Sequence, residues 1–196
     1  MRMTKRVVTK AQARAVASRQ RILDAAEKRL LRSGPGGLVL DAVATDAHVS
    51  KGGLLYHFAS KEALIDGLIE RMLADFDAVQ DEIAAADRLE AGRRTRAYLA
   101  STVTDDGEPA DNSAQLMAGI LAAIDNDPER LAVIRRRFAV WHRRIAVDGI
   151  DPVDATIVRL AADGLWLCAL LGLPRLDRKL QGRVLKRLRD LAGGPR

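Results

Sequence analysis

The chain of 196 residues has a single cysteine, Cys168, so neither a disulfide framework nor a cysteine-based zinc site can be assembled within it. Its three histidines, at 48, 57 and 142, have no ligand partners at diagnostic spacing. No metal and no cofactor are therefore expected. Long apolar runs are also missing: the longest, Leu165 to Leu173, falls far short of the ~20 residues of a membrane span. The basic opening leads into no apolar stretch or small-residue cleavage site, which removes the secretory-signal reading. The expectation is a reduced, cytoplasmic protein with no membrane partner. Aromatics are only 4% of residues and β-branched runs are scarce, with no repeat or low-complexity tract. Strand signals are essentially absent, and an all-α architecture of about nine helices follows. No nucleophile, paired carboxylate or glycine-rich phosphate loop has supporting neighbours, so the chain is not expected to be an enzyme.

What is present is an uneven distribution of charge. Residues 1–64 hold twelve Lys/Arg against five acids, a balance of +7, and the remainder comes to −1. The overall excess of +6 thus originates in the first third of the molecule. DNA carries about one negative charge per 1.7 Å, so a basic surface confined to one module supplies affinity and fast encounter there.

Residues 1–16 carry Arg2, Lys5, Arg6, Lys10 and Arg14 with no acid and are expected to form a flexible basic arm. From Ser18 to Arg32 the positions Ile22, Ala25, Ala26 and Leu30 mark one buried helix face, stopped by Ser33-Gly34-Pro35-Gly36-Gly37. Helical patterns over Leu40–Ala47 and Lys51–Phe58 are separated only by His48-Val49-Ser50, which makes a helix-turn-helix. Ser50 is suited to cap its second helix and Ser60 the long helix that follows, whose face carries Leu64, Leu68, Met72, Phe76 and Val79. A DNA-binding domain over residues 17–77 and a second domain over 78–196 are expected. Asn112-Ser113, Asp127-Pro128 and Asp151-Pro152 announce further helix starts.

Within the turn-joined pair, Val43, Ala44 and Ala47 are small enough for close packing, Val49 and Leu54 plug the angle, and Phe58 closes the core. Ser50 and Lys51 stand at the amino end of the second helix, where base edges and phosphates are met. Gly52 and Gly53 each cost about 1 kcal/mol in helix propensity, which suits close backbone approach to DNA or, alternatively, a loosely specified surface helix. Tyr56, His57 and Lys61 are placed for phosphate contacts, His57 being equally suited to packing between helices with a bond to backbone.

The run from Leu40 through Phe58, continued by Ala59-Ser60-Lys61-Glu62-Ala63-Leu64 and preceded by Arg21-Ile22-Leu23-Asp24-Ala25-Ala26, resembles the DNA-binding signature of the tetracycline-repressor (TetR) family. It departs from that signature at Val39, where a capping threonine or serine is usual. His48 stands for the turn glycine and Leu55 for an aromatic phosphate contact. The resemblance implies a homodimeric repressor bound to a roughly palindromic operator on double-stranded DNA, with Lys51, Gly52 and Gly53 as base readers, and an unidentified small-molecule inducer taken up by a C-terminal helical ligand-binding and dimerisation domain. The alternative is a helix-turn-helix protein without a small-molecule ligand, acting architecturally or through a protein partner.

For that domain, Tyr98, Met117, Phe138, Trp141, His142 and Trp166 are the bulky candidates for a pocket, two or three of them lining it and the rest serving as core. The helix after Pro152 is apolar nearly all round, and the last helix carries one apolar face. Leu160, Gly164, Leu180, Val184 and Leu188 are the candidates for a four-helix interface between two chains, against the alternative of a monomer core closed by a terminal amphipathic helix. Arg130, Arg137 and Arg144 recur every seven residues and suit either a face paired with acids or an anion-sensing rim.

Overall fold

Helix α1, Lys10–Ser33, starts where Thr9 and Gln12 form a reciprocal capping box, eight residues ahead of the expected start at Ser18. The computed structural model describes residues 9–104, 108–125 and 127–193. Lys10 to residue 16 of the expected arm are therefore helical, because two orphan backbone donors are satisfied at Thr9, while residues 1–8 lie outside the described residues. Gly34 ends α1 at φ +63°, and Pro35–Gly37 make a short 3-10 turn.

Helices α2 (Leu40–Asp46), α3 (Lys51–His57) and α4 (Lys61–Ala86) follow. Ile22, Leu23, Val43, Leu54, Leu64 and Leu68 are fully buried, so α1, the two short helices α2 and α3 and the start of α4 share one core. Close approach fixes Gly67: a Cβ there would stand 2.6 Å from Phe58 Cε1 and 3.2 Å from Leu23 Cδ2. Arg71 of α4 adds a polar tie to α1, donating to Asp24 at 2.6 Å, to the Leu23 carbonyl at 3.2 Å and to Glu27.

α4 runs unbroken across the boundary expected between residues 77 and 78. Its far half packs against α5 (Arg93–Thr102), α6 (Ser113–Ala123) and α7 (Pro128–Ala146), and α8 (Pro152–Leu171) and α9 (Arg178–Leu191) complete the bundle. Val79, expected on the buried face, is largely exposed, since α4 has by then turned that side outward. Asp127 and Asp151 cap α7 and α8 as their Asp-Pro pairs foretell, each accepting two backbone N–H groups. Asn112 makes no side-chain cap; Asp111 instead accepts from the Ser113 N–H at 2.8 Å. Helix α5 carries no cap signature at all, being entered through Gly92 at φ +79° and held by Asp148, which accepts from Thr95 N at 2.7 Å and Thr95 Oγ1 at 2.9 Å. No strand occurs among the described residues beyond one isolated bridge between Val103 and Pro109, and no helix is long and apolar enough to cross a membrane.

The seven-residue arginine row of α7 lies along α4. Arg130 binds Asp66 at 2.6 Å and Asp127 at 2.5 Å, Arg137 binds Asp77, and Arg144 stands 3.7 Å from it. These arginines are a face paired with acids, not a free anion-sensing rim.

Candidate functional site

Two regions carry chemistry, and α4 connects them. In the first, Ser50 Oγ accepts from the Gly53 N–H at 3.0 Å and so caps α3, worth about 1 kcal/mol. The turn before it is made at His48, whose φ of +53° is the left-handed conformation that histidine tolerates in place of glycine. Nothing lies within 4 Å of a Cβ built on Gly52, so its backbone faces open space, whereas a Cβ on Gly53 would press on Ser50 Oγ at 3.2 Å. The two glycines therefore differ: Gly52 leaves a surface bare, and Gly53 makes room for the cap.

Tyr56 is 82% exposed, with its ring edge-on to His57 at 5.1 Å. His57 is half-buried at the last position of α3. Lys51 points outward from α3 but is paired, its Nζ lying 3.0 and 3.1 Å from the two carboxylate oxygens of Asp41 on α2. Lys61, placed by the sequence for a phosphate contact, is tied down in the described chain. Its Nζ donates to the Pro35 carbonyl at 3.2 Å, because the 3-10 turn delivers that oxygen beside the start of α4. Sequence reasoning missed Asp41 and also Arg19, whose guanidinium sits 5.1 Å above the Phe58 ring. Val39 makes no side-chain cap on α2, as its apolar side chain requires.

The second region is a cavity inside the C-terminal bundle. Tyr98, Met117, Phe138, Trp141 and Trp166 line it, five of the six residues named from the sequence and more than the two or three expected, together with Met72 and Phe76 of α4. His142 is not among the lining residues, because its ring lies behind Phe138, 6.0 Å away edge-on. Phe76 meets Trp141 at 4.8 Å and Tyr98 at 5.8 Å, both edge-on, so the walls are mutually braced aromatic rings. The free volume is about 40 Å³, small beside the pockets of ~300 Å³ and more that hold drug-sized ligands.

A polar cluster closes one end. Tyr98 donates to Asp163 at 2.5 Å, and Arg159 donates to the other carboxylate oxygen at 2.9 Å. Burial, reinforced by the Asp163 charge, pushes the Tyr98 phenol well above its ordinary value and keeps it a neutral donor. Burial and the neighbouring Arg159 hold the His142 imidazole below 6.5, against the opposing pull of Asp163. Arg159 stands 3.2 Å from His142 Nε2, and a guanidinium can only donate, so Nε2 is the acceptor nitrogen. Trp141 Nε1 reaches Asp77 at 2.6 Å, and Trp166 Nε1 reaches Ser113 Oγ at 3.2 Å.

The interface candidates divide. On α8, Val153, Ile157, Leu160, Gly164, Leu167 and Leu171 are exposed at alternating three- and four-residue steps, forming an unbroken apolar stripe, and Leu180 extends it on α9. Leu188 is corrected: at 4% exposure it is turned into the core of its own chain, and Val184 packs half-buried against the same core. Beyond Leu180 the apolar face of α9 is thus taken up within one chain through Val184, Leu188 and Leu191, which leaves most of the open face on α8.

A family model described as bacterial regulatory proteins of the tetR family matches residues 22–68, and one described as a tetracyclin repressor-like C-terminal domain matches residues 92–193. Among solved structures, a TetR-family member from Streptomyces coelicolor is 26% identical over 87% of this chain and 97% of its own, with a TM-score of 0.61. The multidrug binding protein EbrR, complexed with malachite green, is 27% identical over 87% of this chain and 96% of its own, with a TM-score of 0.57. A transcriptional regulator from Rhodococcus, 21% identical over 90% and 94%, has the same fold at a TM-score of 0.67. No curated protein matches the sequence.

Proposed function

The chain belongs to the tetracycline-repressor family of transcriptional regulators, and on that premise we propose that it is a homodimeric repressor that leaves a roughly palindromic operator when a small molecule enters the aromatic cavity. The observation that carries the reading is the continuity of α4. Its first turns pack in the helix-turn-helix core through Leu64 and Leu68, and its middle turns line the cavity through Met72, Leu73 and Phe76.

Three features supply the parts. The exposed edge of α3, with Ser50, Lys51, Gly52, Tyr56 and His57, is the surface for the major groove, while Gly53 secures the cap and Lys61, held on the Pro35 carbonyl, stands beside it as a cation for phosphate. The α8 stripe, with Leu160, Gly164 and Leu167, together with the exposed Leu180 of α9, is the face for a second copy, which sets the spacing of the two α3 helices. The cavity accepts the inducer by widening: its free volume of about 40 Å³ must grow to admit a drug-sized molecule, so a ligand favours a different arrangement of α4 and α6 from the one described. EbrR has been seen with malachite green and with ethidium, and the five rings around the cavity suit an aromatic ligand of that kind.

Selection from a random duplex library tests the proposal. A protected site with two half-sites about one helical turn apart is expected, along with a dimer in sedimentation and loss of occupancy when malachite green is added. A monomer that ignores duplex DNA at low salt would sink the reading; a dimer that binds a discrete site but responds to no aromatic compound would favour a regulator without a small-molecule ligand.

A further inference from the structure

A second cavity lies beside the aromatic one, and the two share the walls Thr102 and Trp166. Its other walls include Val103, Pro109, Leu165, Cys168, Ala169 and Leu176, with the buried amide of Gln181 among this mostly apolar lining, and its free volume of about 80 Å³ is the larger of the two. Resting on the reading of the aromatic cavity as a ligand site, we propose that the site continues past Trp166 into this outer compartment, and that the ligand is elongated, aromatic at its inner end with an apolar tail.

The partition between the compartments is light. Trp166 is half-buried and held by one neutral hydrogen bond to Ser113 Oγ, with Phe138 tilted against it at a centroid distance of 6.5 Å. Thr102 turns its hydroxyl back to the Tyr98 carbonyl at 2.8 Å, so that group is already satisfied and does not compete for an apolar chain passing between them. Swinging the indole aside joins the two spaces. The inner compartment alone falls well short of a drug-sized ligand, and the outer one adds about 80 Å³ to the space that widening has to supply. Arg175, paired with Glu108, stands at the rim of the outer compartment, so the tail ends at a neutralised ion pair and needs no charge of its own.

A series from toluene to n-octylbenzene, titrated calorimetrically into the full-length protein, tests the compartment. Each methylene buried beyond Trp166 should raise affinity by up to about fourfold, following from ~0.8 kcal/mol per buried CH₂. Ala169→Trp fills the outer compartment from α8, and Leu176→Trp fills it from the loop, where the side chain is exposed and folding is spared. Both should flatten the dependence on chain length and leave toluene binding unchanged. A flat series in the parent protein, or the same slope in parent and variants, overturns the outer compartment while leaving the aromatic site standing. Failure of every member including toluene overturns the ligand reading itself, and the extension with it.

Discussion

The contact between α6 and α1 allows a quantitative test of how cavity and DNA-binding unit are joined. One face of α6 presents Ser113 and Met117 to the cavity; another presents Gly119 to Leu30, which is almost fully buried. A Cβ on Gly119 would stand 2.8 Å from Leu30 Cγ, 3.1 Å from Cδ1 and 3.3 Å from Cδ2. Gly119→Ala gains about 1 kcal/mol of helix propensity but overpacks at a cost of about 1–3 kcal/mol, so a net loss of up to about 2 kcal/mol is expected. Leu30→Ala alone leaves a hole costing about 2–5 kcal/mol. In the double variant the new methyl enters the space that Leu30 vacates, so the combined loss should fall short of the sum by at least about 1 kcal/mol. Urea unfolding at fixed protein concentration measures this, and thermal midpoints should follow at about 2–4 °C per kcal/mol for a chain of this size. Losses that simply add, within about 0.5 kcal/mol, would refute the direct packing of Gly119 on Leu30.

Leu160→Glu combined with Leu167→Glu should yield a helical monomer by sedimentation and circular dichroism, since both side chains lie outside the core of their own chain; a persisting dimer would move the interface elsewhere. Lys51→Ala should reduce the salt dependence of DNA binding by about one ion and loosen operator selection, whereas Asp41→Asn, which frees Lys51, should strengthen binding at low salt. Unchanged binding for both would remove Lys51 from the contact surface. His142 has its folded pKa lowered, so the unfolded chain takes up the proton more readily and stability contributed above about pH 6.5 is lost as pH falls. Its neighbours Arg159, Asp163 and Phe138 leave that proton beside a guanidinium. His142→Gln should therefore lose less thermal stability between neutral pH and about pH 5 than the parent; equal losses would contradict a half-buried neutral imidazole.

Much of the helical framework is legible in the sequence because its signals are local. A serine before a helix, a proline after an aspartate and apolar residues at helical spacing each act within one or two turns, and Ser50, Asp127 and Asp151 all cap where they should. Helix α5 escaped because it is fixed from a distance: Asp148, fifty-three residues away, holds Thr95 where no neighbouring side chain could. Lys61 and Lys51 read alike as exposed cations, yet one is bound to a backbone carbonyl and the other to Asp41, partners set by how the 3-10 turn and α2 approach them.

The apolar patterns of α8 and α9 show the same division. Periodicity establishes that each helix has a face to cover, since burial of apolar surface follows from composition and spacing along a single element. Which surface covers it is a property of neighbours in space: Leu188 turns into its own chain, while Leu160 and Leu167 are left open. Signals within a turn or two of chain account for most of the helices, the turn and the basic module, though not for α5 or the first turns of α1. That five rings from four helices surround one cavity, and that α4 joins it to the recognition unit, follows from packing between residues far apart in the chain, which no local pattern encodes.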